Sequence, residues 1–227
     1  MGFVYLGAKF NCNRIFALHS GLRNKPDNVE QTIKPMESLI AWDHYFFELL
    51  NGVWTNEFLD QIMPLWRDKK TWYPLYLLII GFSLYQFKWR GLYFILVVVL
   101  SIGLADFCSS QILKKKVQRL RPCNNTEMQA EVRLLVGCGR AYSFTSSHAA
   151  NHFAIATFIS LTLGLIYRKI RWPLYFWAAS IAYGQVYVGV HFPLDVIVGG
   201  LIGWLIGYLM AKLYLSAEKI RLPLERV

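Results

Sequence analysis

Residues 91–113 read GLYFILVVVLSIGLADFCSSQIL, and this stretch decides the fold. No charged side chain interrupts it from Gly91 to Ala105, and Asp106 is its only ionisable acid or base of the usual kind. A helix needs ~20 apolar residues to cross the hydrocarbon of a bilayer. Runs of the same character recur at 71–87, 149–167, 173–190 and 194–215. Trp72, Tyr73, Trp89, Tyr167, Trp172 and Tyr214 lie near their ends, where interfacial aromatics sit. The whole 227-residue chain agrees, being 55% hydrophobic and only 17% charged, against ~25% charged in an average soluble domain. That composition excludes a disordered or collagen-like chain, and four cysteines are too few for a disulfide-dense secreted scaffold. The expected fold class is all-α: a polytopic membrane helical bundle with about five transmembrane helices.

The net charge is +10, from 24 Lys and Arg against 14 Asp and Glu. In so apolar a chain, such an excess points to loops beside anionic lipid or to a site for anions, and nucleic acid is not an expected partner. Ahead of the spans, Ser38 to Trp66 is amphipathic. Leu39, Trp42, Phe46 and Leu49 fall on one helical face opposite Asp43, Glu48 and Asn51; Trp54, Phe58, Ile62 and Leu65 repeat the pattern opposite Asn56, Glu57 and Asp60. Two interfacial amphipathic helices are expected here, the alternative being a sixth, weakly hydrophobic span. Residues 1–35 form an N-terminal extension without the apolar core of a secretory signal, and Met36 is an alternative start. Residues 36–217 make the membrane domain, and 218–227 a basic tail.

Lys88–Arg90, Arg168–Trp172 and the tail residues Lys219, Arg221 and Arg226 fall on one face of the bundle, which the positive-inside rule makes cytoplasmic. The long loop 114–147 and the junction His191–Asp195 fall on the other. Three clusters meet there. Lys114 and Arg121 are seven apart, about two helical turns, and Pro122 disfavours helix at Arg121; two fixed cations suit a phosphate. Thr145-Ser146-Ser147-His148 stands directly before an apolar helix, whose capped N-terminus is an anion seat with His148 beside it as a proton donor. In His191-Phe-Pro-Leu-Asp195 the carboxylate can hold one ring nitrogen and leave the other basic. Each cluster alone has an ordinary structural explanation; together they describe a phosphoryl-transfer site built on positioning and charge. No metal motif is present, and no cofactor is expected.

Lys114-x6-Arg121-Pro122, Ser146-Ser147-His148 and Gln185-x5-His191-x3-Asp195 together resemble the type 2 phosphatidic acid phosphatase superfamily, over roughly residues 38–215. The resemblance implies a metal-independent hydrolase in which His191 attacks phosphorus, Asp195 orients it and His148 protonates the leaving group. Lys114, Arg121, Ser146, Ser147 and the position of Gln185 would bind phosphate oxygens. It also implies a phosphorylated membrane lipid as substrate; the loop bracketed by Cys123 and Cys138 and the Ser-Ser-His form are similar to those of bacterial envelope phosphatases, which favours lipid A phosphate or undecaprenyl pyrophosphate, handled at the periplasmic face of the inner membrane. Two departures stand out. Thr145 and Ser147 replace the family's Pro and Gly, and Gly184-Gln185 replaces its Ser-Arg. The second removes a cation that Lys115, Arg119, Arg133 or Arg140 would have to supply.

Cys123 and Cys138 share the long loop and form a disulfide if that face is periplasmic, or remain two thiols otherwise. Asp106 is expected to bond a neighbouring helix, His152 to support His148, and Gly199, Gly200, Gly203 and Gly207 to allow close helix packing. Two other classes of function stay open on sequence alone: a lipid-phosphate binding or transport protein whose site has decayed at Gln185, and a membrane haem protein ligated through His148, His152 and His191. The oligomeric state is left open as well.

Overall fold

Each apolar run becomes helix in the computed structural model, which describes residues 27–139 and 142–218, with side chains from Glu37 onward. The tail residues Lys219, Arg221 and Arg226, the loop residue Arg140 and most of the N-terminal extension lie outside the described residues. The order is α1 (Asp27–Glu48), α2 (Glu57–Trp66), α3 (Tyr73–Phe87), α4 (Trp89–Asp106), α5 (Lys114–Val117), α6 (Ser147–Leu161), α7 (Leu163–Ile166), α8 (Arg171–Tyr187) and α9 (Pro193–Glu218). No strand occurs among the described residues. Two units are distinguished, Met1–Trp42 and Asp43–Val227. The described side chains of the first, Glu37–Trp42 at the opening of α1, are exposed, and the site lies in the second.

Local chemistry sets the ends. Asn56 caps α2 by accepting the Leu59 N–H at 2.8 Å. Pro193 opens α9, where its missing N–H costs nothing. A π-helical stretch, Phe107–Leu113, joins α4 to α5, and Gln118 in the left-handed region (φ 54°) ends the rod. Lys114 and Arg121 therefore do not share a helical face as their spacing suggested. Arg121 is extended (φ −71°, ψ 154°) because Pro122 follows it. Among the described residues two helices are long and apolar enough to cross a membrane, Trp89–Asn124, counted through its π turns, and Pro193–Ala217. Of the other expected spans, α3 and α6 have 15 residues each and α8 has 17.

The amphipathic segments turn out with opposite polarity to a soluble helix. Leu39, Trp42, Phe46, Trp54 and Phe58 are exposed, whereas Asp43 and Asn51, read as the wet side, are buried at 2% and 1% exposure. These carboxylate and amide groups find partners inside the protein, and the apolar faces are left for an apolar surrounding.

The centre of the second unit is α6, which packs on α9, α8 and α4. Its small residues Ala149, Ala150, Ala154 and Ala156 are fully buried, and beyond them Phe158 joins Phe94, Ile181 and Tyr214 in the main apolar core. Three glycines of α9 set the approach. A Cβ on Gly199 would stand 2.5 Å from the Ser146 carbonyl oxygen, and one on Gly207 would stand 2.6 Å from that of Ala154. Between them, a Cβ on Gly203 would collide with the Ala150 carbonyl. Both sets of residues repeat every four positions, so one backbone ridge lies along the other. Gly203→Leu should cost about 3 kcal/mol or more, since the obstacle is backbone and cannot swing away. Gly81→Ala, in open space within α3, should be neutral to stabilising by up to ~1 kcal/mol. Thermal unfolding in detergent compares the two; a Gly203→Leu protein as stable as wild type would refute the seam.

Candidate active site

The corner between α8 and α9 holds His191 at 2% exposure. Its Nδ1 stands 3.4 Å from Asp195 Oδ2, a long contact on the side facing the carboxylate. Asp195 is the third residue of α9, where a negative charge suits the helix dipole. Its Oδ2 also accepts the Phe192 N–H at 2.9 Å, and its backbone oxygen accepts the Ser146 N–H at 2.9 Å, which ties this corner to the start of α6. Burial pushes the His191 imidazole down to about 4, against the upward pull of Asp195. The ring is neutral at physiological pH, and the proton belongs on Nδ1 beside the carboxylate, leaving the Nε2 lone pair available.

Arg119 occupies a different place from the one its sequence position suggested. It bridges Asp43 Oδ2 at 2.6 Å and Asp195 Oδ1 at 3.0 Å, lying over the Phe192 ring at 3.8 Å. Asp43 in turn accepts the Leu194 N–H at 2.7 Å, at the N-terminus of α9. Arg119 is thus spent on holding the corner and not on an incoming anion. Arg133 is spent too: it donates to both Asp60 carboxylate oxygens at 2.7 Å and to the Asn51 carbonyl at 3.1 Å, while Tyr187 donates to Asp60 at 2.6 Å. Those bonds hold the Asp60 carboxyl below its ordinary value. Lys115 is exposed.

The α6 N-terminus is built on serines. Ser146 caps it, accepting the Ala149 N–H at 3.4 Å. The Ser147 hydroxyl is shared with Ser110 at 2.8 Å and Ser109 at 3.1 Å, and Thr145 donates to Ser109 at 3.0 Å. Ser109 and Ser110 were not singled out in the sequence; they reach this point because the π-helical stretch carries them there. Asp106 accepts from Ser110 at 3.3 Å, within its own helix and not across to a neighbour as expected. With its hydroxyl engaged, Ser147 offers the anion seat its backbone N–H, one of the groups a helix start leaves unpaired.

His148 is the second residue of α6, within electrostatic reach of Arg67, His191 and Lys114. His152, one turn on, lies parallel to it with ring centroids 6.4 Å apart. The Nδ1–H of His152 donates to the His148 carbonyl at 2.7 Å, so its Nε2 accepts from the Tyr76 hydroxyl at 3.1 Å. This fixes one neutral tautomer and supports the backbone under His148. Arg121 donates to the Val190 carbonyl at 3.4 Å, next to His191, and Lys114 is within electrostatic reach of Arg121 and Asp195. Gln185, fully buried, accepts a hydrogen bond from Arg67 Nε at 3.0 Å. Arg67 had no place among the residues picked from sequence.

An apolar cavity of about 400 Å³ opens between α3, α4 and α6. Phe94, Val98 and Ile155 are among the residues along it, and Asp106, Ser147 and His148 supply its polar end. The loop before the site is stapled by a disulfide between Cys123 and Cys138, whose Cα atoms are 6.0 Å apart.

Over residues 92–218 the chain matches a known family model, the PAP2 superfamily. The chain belongs to the PAP2 superfamily. Phosphatases of the superfamily are hydrolases acting on phosphoric esters, and the chain is one of these hydrolases. It is 32% identical over 196 residues to a lipid A 4'-phosphatase of Bacteroides thetaiotaomicron, covering 84% of this chain and 83% of that protein. The crystal structure of Aquifex aeolicus LpxE is similar with a TM-score of 0.58 and 30% identity, over 74% of this chain and 93% of that one. A transmembrane PAP2-type phosphatidylglycerolphosphate phosphatase from Bacillus subtilis shares the fold, with a TM-score of 0.60 and 21% identity over 82% of this chain and 89% of that one.

Arg119 neutralises two buried carboxylates, those of Asp43 and Asp195. Arg119→Met should destabilise the protein by about 3–5 kcal/mol, because it strands both acids. Adding Asp43→Asn should return part of that loss. Thermal unfolding of the single and double variants in detergent checks it, and equal stability of wild type and Arg119→Met would refute it.

Proposed function

We propose that the protein is a membrane-embedded phosphatase that removes a phosphate from lipid A through a phosphohistidine intermediate. The observation that carries this reading is the apolar cavity with His148 at its polar end, His148 being within electrostatic reach of His191. Such a site accepts a molecule with a hydrocarbon part and a phosphate part together. The lipid A 4'-phosphatase relative supports the choice of lipid.

Nε2 of neutral His191 attacks phosphorus, and the bond from phosphorus to the lipid oxygen breaks. His148 takes up a proton when the anionic phosphate group binds beside it, and gives that proton to the leaving oxygen. A water molecule then attacks the phosphohistidine, passes a proton to His148, and releases inorganic phosphate with His191 restored. Asp195 balances the charge that grows on the His191 ring. Lys114, Arg121, Ser146 and the N–H groups at the α6 start bind the phosphoryl oxygens, where charge builds up.

The reading carries five spans, α3, α4, α6, α8 and α9, with α1 and α2 at the bilayer surface; the exposed apolar faces of Phe46, Trp54 and Phe58 support it. The active site faces the periplasm of a bacterial inner membrane. The disulfide beside it supports an oxidising side.

Phosphate release in detergent with EDTA tests this, with lipid A, undecaprenyl pyrophosphate and phosphatidic acid as substrates. Lipid A should be preferred, and His191→Ala should abolish release. His191 loses its lone pair only on protonation, and burial lowers that event from 6.5 to about 4. The acid limb of kcat/KM should therefore fall near pH 4 and not near 6.5. Release that persists in His191→Ala refutes the mechanism, and preference for another of the three lipids refutes the substrate.

A further inference from the structure

Arg67 follows α2 directly, and its N–H bonds back to the Met63 carbonyl at 3.1 Å, so its backbone is part of the helix end. Its side chain runs toward α8 and binds Gln185 through Nε. Two features of α8 accommodate it. Gly184 has no side chain, and a Cβ there would lie 3.2 Å from Arg67 Cβ, tighter than ordinary contact. Gln185 supplies an acceptor where a cationic side chain would repel the guanidinium. Gly184 makes the room and Gln185 makes the anchor.

With Nε committed to Gln185, the two terminal nitrogens of the fork remain. Among the described residues Arg67 has no carboxylate in ion-pair contact. Yet it is the charge acting most strongly on His148, and Arg121 in turn acts on it. Like charges gathered at a half-buried place repel one another, and such a gathering is stabilised by an anion between them. An arginine held at Nε with its terminal nitrogens available has the geometry for two parallel hydrogen bonds to phosphate oxygens.

We propose that Arg67 is the third phosphate-binding cation of this site, beside Lys114 and Arg121, taking over from a different helix the charge that Gln185 lacks. This rests on the phosphatase reading above. A purely structural Arg67 would only tie α2 to α8, and the two roles predict different responses to moving the charge.

The experiment uses the full chain in detergent, measuring kcat/KM with lipid A and inhibition by inorganic phosphate. Arg67→Ala should lower kcat/KM by about ten- to a hundred-fold and weaken phosphate inhibition comparably, as expected for loss of a charge-assisted contact. Gln185→Arg alone should also lower activity, because two guanidinium groups would contend for one place. The double variant Arg67→Ala with Gln185→Arg should recover most of the activity and of the phosphate inhibition. A folded Arg67→Ala protein with wild-type phosphate inhibition overturns the proposal, as does a double variant no better than Arg67→Ala. If Arg67→Ala does not fold, Arg67→Gln keeps a donor toward Gln185 without the charge, and wild-type phosphate inhibition in that folded variant overturns the proposal. Wild-type protein that neither releases phosphate nor is inhibited by it overturns the phosphatase reading, and this inference with it.

Discussion

The backbone contact between α6 and α9 is the constraint on which the rest depends. Because Gly199, Gly203 and Gly207 let one helix lie against the carbonyls of Ser146, Ala150 and Ala154, the N-termini of both helices arrive at the same level. One of them carries Ser146, Ser147 and His148; the other carries Asp195, with His191 just ahead of it. The Ser146 N–H bond to the Asp195 carbonyl then fixes their separation at the end where chemistry is expected. Were the helices held apart by side chains, interaxial distances of 8–10 Å would be usual, and the two ends would not share one small space.

Burying acids near that space has a cost, which the surrounding groups offset. Both Asp195 carboxylate oxygens have partners, Arg119 on one and the Phe192 N–H on the other. Asp43, on an amphipathic helix with its apolar side turned outward, completes the pair around Arg119. The same arrangement recurs where Asn51, Asp60, Arg133 and Tyr187 join the loop to α8. Polar groups turned inward and apolar groups turned outward are what an apolar solvent selects, since a lone charge there costs far more than a paired one.

Much of this was legible in the chain. The all-helical class followed from run length and composition, and the superfamily from three short motifs. What escaped was which side chains far apart in the chain would pair. Arg67 lies 118 residues before Gln185, and no local pattern links them; the clue was negative, a Gly where a Ser was expected and a Gln where an Arg was expected. Arg119 and Arg133 looked like spare cations because a sequence does not show which acids will face them. Asp43 and Asn51 were assigned to the wet side because amphipathicity reports two faces without saying what solvent each one meets. The seven-residue spacing of Lys114 and Arg121 suggested a shared helical face, but the helix stops at Gln118, and it is the extended backbone before Pro122 that brings Arg121 to Val190.

The π-helical stretch Phe107–Leu113 has a consequence for how this chain can vary in length. Each residue of an α-helix advances the next by about 100°, so the phase of α5 is set by the number of residues that precede it. The wider turns absorb residues that an α-helix would spend on rotation, and they place Ser109 and Ser110 against Ser147 with Lys114 still directed inward. A one-residue deletion here would leave the apolar character of the rod intact while swinging Lys114 about a quarter-turn toward lipid. The exposed apolar positions of this rod can drift in composition, but its residue count cannot.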